Sequence, residues 1–290
     1  MQWGSAPKVI VFTDLDGTFL GHDQFDSKAS SALLRQLIAY GVLVVFNTSK
    51  TWAECRNLLD GLGIRLPIIV ENGSALLMPN AMLRTSWLTC NETANALTEA
   101  GMSRWVLGKD LEAIVQFKRR EASDREDVLT CDTEFAETLT GLTGPELARA
   151  QQREYSLPLK PDAKDPHLRA LAQAQGFDLV QGGRLSSLQG QTDKGKAMRW
   201  FMSLLTDPKG IPTMSLGDSA NDLPMLAASD VSIIVKRQGK HIPHACSETI
   251  YKTQIEAPEG WCEGVLEGLH RLGADSMIKR NDIRSVDHGR

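Results

Sequence analysis

Two carboxylates two residues apart, Asp14 and Asp16, close the apolar run VIVFT near the start of a 290-residue chain. Such a run is a buried strand, and Asp16-Gly17 supplies the turn that ends it. Neighbouring carboxylates repel one another and are costly to desolvate unless a cation or a proton joins them. The pair is therefore part of a metal site, or a strand end that is merely acidic. Polar residues recur at the same kind of position. Thr18 follows the pair, and Asn47, Thr48, Ser49 and Lys50 follow VLVVF. Glu71, Asn72 and Gly73 follow PIIV; Asp218, Asn221 and Asp222 follow TMSLG; and Lys194 opens DKGKAMRWFMSLLT.

Carboxylates, small hydroxyls and one ammonium suit phosphoryl transfer through an acyl phosphate. A carboxylate can take up a phosphoryl group and later release it to water. Oxygen ligands of this kind hold Mg²⁺, which prefers carboxylates together with a substrate phosphate. A metal and an ammonium offset the repulsion between an anionic nucleophile and a phosphate dianion. A second acid beside the nucleophile can protonate the leaving alkoxide and then deprotonate water.

These residues need a scaffold that gathers strand ends. KVIVFTD, VLVVF and PIIVENG alternate with two helical stretches, SKASSALLRQLIAYG and TWAECRNLLDGLG. In the first of these, Ala29, Leu33, Leu37 and Ile38 fall on one face and Gly41 marks the stop. This alternation predicts a parallel sheet covered by helices, and ligands bind such sheets at the carboxyl ends of the strands. ALLMPNAMLR reads as a hairpin around Pro79-Asn80. From Ser86 to Gln191 the texture changes to polar helices and short strands (REYSLPL, FDLVQGG, RLSSLQ), and from Asp193 the first texture returns. The expected organisation is α/β: a discontinuous Rossmann-like parallel-sheet core, 1–85 and 192–290, interrupted by an inserted α+β cap domain, 86–191. The last helix, GWCEGVLEGLHRL, precedes a polar tail that is expected to fray.

D-L-D-G-T, the hydroxyl after VVF, the lysine opening a helix and G-D-S-A-N-D resemble, in order, the four motifs of the haloacid dehalogenase superfamily of phosphatases. The resemblance implies Asp14 as nucleophile and Asp16 as general acid and base. It implies Thr48, or alternatively Ser49, as hydroxyl donor to the phosphoryl group, and Lys194 as the charge-balancing lysine. Mg²⁺ would be held by Asp14, the backbone carbonyl of Asp16 and Asp218, with Asp222 in support. The insert resembles a type-two cap. N-T-S-K-T, E-N-G, R-E-Y-S-L-P and G-G-R ahead of T-D-K-G-K-A resemble the mannosyl-3-phosphoglycerate phosphatase branch. The implied reaction releases phosphate from mannosyl- or glucosyl-3-phosphoglycerate, in compatible-solute synthesis. A broader sugar-phosphate phosphatase and a sugar phosphomutase stay open. A non-catalytic phosphate-binding module would have no need of both Asp14 and Asp16.

A phosphoglycerate brings a carboxylate as well as a phosphate. Lys50, Arg153 and Arg184 are candidates to meet it, arginine being suited to bidentate carboxylate binding. Ser156 and Asn72 are candidates for sugar or glycerate hydroxyls, and Thr18, Ser49, Gly73 and Asn221 complete the substrate-facing set. Gly182, Gly183 and Gly190, with Gly73, are hinge or turn positions.

The rest of the chain excludes other classes. The formal charge of −4 carries no basic nucleic-acid footprint. The apolar runs are of strand length, far short of a membrane span, and MQWGSAPK has no leader-like apolar segment. Five scattered cysteines without a C-x-x-C pair read as reduced thiols of a cytoplasmic protein. His241 and His244 lie in a loop-like stretch and read as surface residues, while Trp52, Trp200 and Trp261 read as packing. The expected partner is a small phosphorylated sugar.

Overall fold

The structure is a computed structural model and describes residues 4–21, 27–89, 101–163, 165–182, 184–239 and 250–274. The polar tail beyond Ala274, His241, His244, Gly183, Cys90 and Cys246 lie outside these residues. In chain order the strands of the main sheet begin with β1 (Val9–Thr13), β2 (Val42–Asn47), β3 (Ile68–Val70), β4 (Ala75–Pro79) and β5 (Met102–Val106). Helices α1 (Lys28–Ala39) and α2 (Trp52–Leu62) connect the first three. The chain then passes through α3 (Leu111–Glu121), α4 (Thr133–Thr140), α5 (Gly144–Ala150), β6 (Ser156–Leu159), α6 (Asp165–Ala174), β7 (Phe177–Gln181) and β8 (Ser186–Gly190). It returns through α7 (Lys194–Ser203), β9 (Thr213–Gly217), α8 (Leu223–Leu226), β10 (Val231–Lys236), β11 (Tyr251–Glu256) and α9 (Glu259–Arg271).

Among the described residues the main sheet has the order β11-β10-β9-β1-β2-β3-β4-β5. The strands from β11 to β3 run parallel, and β4 and β5 are antiparallel. Period-two alternation divides its residues between two cores. Val9, Val11, Val44 and Phe46 pack with α1, α2 and α9 on one face. Ile10, Phe12, Leu43 and Val45 pack with α7 and Met225 on the other. Both faces are thus covered, as parallel strands require. Strand β1 lies between β2 and β9, where the strand order reverses, so Asp14 emerges at the switch point. Its footing is rigid. Trp261 on α9 donates its indole N–H to Thr13 Oγ1 at 3.0 Å and meets Phe19 edge-on.

The insert has its own antiparallel sheet, β6-β8-β7, and its own core. Ile114 and Phe117 of α3 and Leu168 and Ala172 of α6 cover one face. Pro158 and Ser187, paired across β6 and β8, line the cavity above the core's strand ends.

Two sequence expectations are corrected. The predicted hairpin around Pro79-Asn80 does not form. After Asn80 the chain makes a 3-10 turn that buries Met82, and the strand that next pairs with β4, on the side away from β3, is β5, some twenty residues on. That strand lies inside the range read as insert, 86–191, yet it is hydrogen-bonded into the main sheet. Its polar residues Ser103 and Arg104 are both buried: Ser103 donates to Asn80, and Arg104 pairs with Glu154 and Tyr155 of the insert. Two smaller differences concern extent. ANDLPMLAAS, whose sequence reads as one helix, forms a 3-10 turn followed by the short α8, and β11 is a strand that no apolar run marks. No described helix is long and apolar enough to cross a membrane.

The insert hangs on one turn of the core. The N–H groups of Leu107 and Gly108 donate to the Ser74 carbonyl on the way out. Thr192 Oγ1 donates to the Gly73 carbonyl at 2.7 Å on the way back. Gly73 has a φ of +93°, and a Cβ there would run into the carbonyl of Asp193, so only glycine fits this crossing.

Candidate active site

Asp14 Oδ1 and Asp222 Oδ1 each accept a hydrogen bond from Lys194 Nζ at 2.6 Å, and all three side chains are buried. The lysine opens α7 behind Asp193, which caps that helix by accepting from the Lys196 N–H. Asp222 Oδ2 in turn accepts from the backbone N–H groups of Asp218 and Ser219, each at 3.0 Å, which fixes the loop after β9. Burial pushes the Asp14 carboxyl well above the usual carboxylate range; Lys194 works against this, while Asp222, Asp218 and Asp16 add to it. Burial would lower the Lys194 ammonium, but Asp14 and Asp222 outweigh it and hold it above its ordinary value.

Asp218 completes the cluster. Its Oδ2 accepts from Arg237 Nη1 at 2.7 Å, and its Oδ1 is buried without a partner. Burial, reinforced by Asp222 and opposed by Arg237 and Lys194, raises its pKa to about 6. Gly17 has a φ of +74°, and a Cβ on it would stand 2.7 Å from Asp218 Oδ2, so a side chain there would fill the cradle. Carboxylate oxygens of Asp14, Asp218 and Asp222 lie within 4.8 Å of one another. Three buried carboxylates, two neighbouring cations and an orphaned carboxylate oxygen fit a divalent cation with oxygen ligands. The Asp16 carboxylate is not one of that group; it turns instead to Lys50 Nζ at 3.0 Å. Lys50 also holds Glu54 at 3.2 Å. Burial would lower the Lys50 ammonium, but Asp16 and Glu54 together raise it.

Above the cluster lies a cavity of about 250 Å³ between core and insert. Asp14, Asp16, Ser49, Lys50, Asn72, Asp218 and Asn221 line it from the core, and Arg153 and Arg184 from the insert. Thr18, Thr48, Gly73, Ser156, Lys194 and Asp222 are not part of its lining. Thr48 is buried, with Oγ1 accepting from the Lys50 N–H at 3.2 Å, and Thr18 Oγ1 is buried without a partner. Asn221 Nδ2 donates to Asn72 Oδ1 at 3.0 Å. Arg184 donates to the Thr140 carbonyl at 3.1 Å. Ser156 is turned away from the cavity and donates to Glu71 at 2.6 Å. Arg237 and Glu54 also line the cavity and were not singled out by sequence; a basic residue after a strand and an acid in a helix's first turn are both common on structural grounds alone.

Residues 11–110 match the family profile of haloacid dehalogenase-like hydrolases, and residues 169–273 match that of sucrose-6F-phosphate phosphohydrolase. A glucosyl-3-phosphoglycerate/mannosyl-3-phosphoglycerate phosphatase of Methanococcoides burtonii is 32% identical over 90% of this chain and 97% of its own. The chain belongs to the mannosyl-3-phosphoglycerate phosphatase family of the haloacid dehalogenase superfamily. A relative with the same description from Persephonella marina is 29% identical over 91% of this chain and 98% of its own. The solved structure of a haloacid dehalogenase-like hydrolase from B. subtilis shares the fold, with a TM-score of 0.62 and 17% identity over 91% of this chain and 99% of that one. The chain is a phosphoric monoester hydrolase.

Proposed function

We propose that the chain is a Mg²⁺-dependent phosphatase that hydrolyses mannosyl- or glucosyl-3-phosphoglycerate to the glycosylglycerate and phosphate. The core is taken as residues up to β5 and from α7 onward, and the segment between as the specificity cap. The observation that carries this reading is Asp14: a buried carboxylate on Lys194, at the floor of a cavity whose insert side presents Arg153 and Arg184. The relatives named above act on substrates of this class.

In the proposed chemistry an Asp14 oxygen attacks phosphorus and the bond from phosphorus to the glycerate oxygen breaks. Asp16 gives its proton to the departing alkoxide, then takes one from the water that attacks phospho-Asp14; phosphate leaves and Asp14 is restored. Lys194 holds the nucleophile's charge and orientation throughout. Lys50 Nζ lies 3.0 Å from Asp16 Oδ1; a substrate anion that draws Lys50 away leaves Asp16 free to turn to the leaving oxygen. Thr48, or Ser49, donates to a phosphoryl oxygen. Asp14, Asp218 and the Asp16 carbonyl would hold Mg²⁺, with Asp222 in support, and the ion supplies positive charge for the phosphoryl oxygens. Arg153, Arg184 and Lys50 meet the glycerate carboxylate. Asn72 and Asn221 meet hydroxyls, Thr18 and Gly73 shape the phosphate end, and Ser156 acts from behind Arg153.

The test is phosphate release, with and without Mg²⁺, from both glycosyl-3-phosphoglycerates, 3-phosphoglycerate, hexose 6-phosphates and a nucleotide. Selective release from the glycosyl phosphoglycerates is expected; equal rates across the panel would remove the substrate assignment. Asp14→Asn should abolish turnover, a loss of at least about 10⁴-fold, with an unchanged circular dichroism spectrum.

A further inference from the structure

Glu71 has no part in the chemistry proposed above, yet it is a fully buried carboxylate at the end of β3. Its backbone φ is +48° and that of Asn72 is +56°, the two non-glycine residues in the left-handed region among those described. Such backbone persists only where its surroundings enforce it. A buried carboxylate likewise needs donors to compensate its charge. Among the described residues, every donor to the Glu71 carboxylate comes from the insert. Oε1 accepts from the Glu154 N–H at 3.0 Å, and Oε2 accepts from the Tyr155 N–H at 3.1 Å and from Ser156 Oγ at 2.6 Å.

The residue just before that clamped tripeptide is Arg153. Its Nη1 donates to the Ser49 carbonyl at 2.7 Å and its Nε to the Ala150 carbonyl at 2.9 Å. The guanidinium therefore spans from the insert to the loop after β2, and it lines the cavity. Glu71 is the core's grip on the chain that delivers it. We infer that Glu71 is a positioning residue: by seating residues 154–156 it holds Arg153 over the loop after β2, so that recognition of the substrate's second anion runs through a carboxylate the substrate never touches. The part of this inference that concerns the second anion rests on the substrate reading above; the part that concerns Arg153's placement does not.

The experiment has two arms in the full-length protein. In the first, arginines are modified with phenylglyoxal and the rate at Arg153 is followed by peptide mass spectrometry. Glu71→Gln keeps the size but turns an amide toward donors, and it should raise the Arg153 rate about tenfold, leaving Arg56 unchanged. Should that variant fold poorly, Ser156→Ala removes one of the three donors and should raise the rate in the same direction by a smaller factor. An unchanged rate in a folded variant overturns the inference. The second arm compares glucosyl-3-phosphoglycerate with 4-nitrophenyl phosphate, which carries no second anion. Glu71→Gln should raise KM for the first about tenfold and leave the second within about twofold. Adding Glu71→Gln to Arg153→Ala should cost nothing further, because the two act as one unit. Equal losses on both substrates, or losses that multiply in the double variant, would show a general structural role and sink the idea. A wild-type protein that cleaves the aryl ester but not the glycosyl phosphoglycerate counts against the substrate reading, and arginine reactivity then decides the role of Glu71 by itself.

Discussion

The nucleophile's neighbourhood is a problem of charge. Lys194 is shared evenly between Asp14 and Asp222, and all three are buried. Lys194→Met would leave both carboxylates buried without their cation, a loss expected at about 3–5 kcal/mol in urea unfolding. Adding Asp14→Asn should recover part of it, since that removes one uncompensated charge; no recovery would mean that the lysine's packing, and not its charge, is what matters. Asp14 and Asp222 were legible in the sequence because they follow apolar runs, where the sheet has no structural need for charge, and Lys194 because it opens an amphipathic helix. Glu71 was legible as a strand-end acid but not as a tether, and Glu54 and Arg237 were not singled out. The tether comes from partners far along the chain, as when Glu71 meets Ser156, 85 residues away, and no local pattern encodes such a meeting.

Among the elements, the buried parallel strands were readable because burial on both faces demands continuous apolar residues. Edge strands lack that demand. β5 and β11 carry polar residues, so one was assigned to the insert and the other passed over. The insert's own elements are tied by Asp127, which bridges toward α3. Its carboxylate is 1% exposed and accepts from the Leu129 and Thr130 N–H groups, the Thr130 hydroxyl and Lys118. Burial would raise it, but the Thr130 and Lys118 bonds outweigh that and hold it below the ordinary 3.8. Ionised Asp127 thus favours the fold; the contribution is complete above 3.8 and drains away as pH falls through the lower folded value. Asp127→Asn should cost about 1–3 kcal/mol at neutral pH, and its thermal-melt deficit should shrink steadily in acid. A deficit independent of pH would show that shape, and not charge, is what the residue supplies.

For the whole molecule, the carboxylate cluster at the loops after β1 and β9 joins parts of the chain some two hundred residues apart, and the ion proposed for it would bind only the folded chain. A ligand that binds only the folded state stabilises it by mass action, about 2.7 kcal/mol at a hundredfold excess over Kd. Mg²⁺ should therefore raise the melting temperature, EDTA should reverse the rise, and Asp218→Asn should erase it; a rise that survives in Asp218→Asn would move the ion elsewhere. The turn at residues 71–74 also has a bearing on what the core can carry. Glu71 seats β6, Gly73 receives the returning chain and Ser74 the departing one. The exit and the re-entry share one anchorage, so whatever is threaded between them closes the same gap. The cost of closing a loop grows only slowly with its length. A core with this turn has one socket, and an inserted segment of another length could close on it without disturbance to the carboxylates beneath.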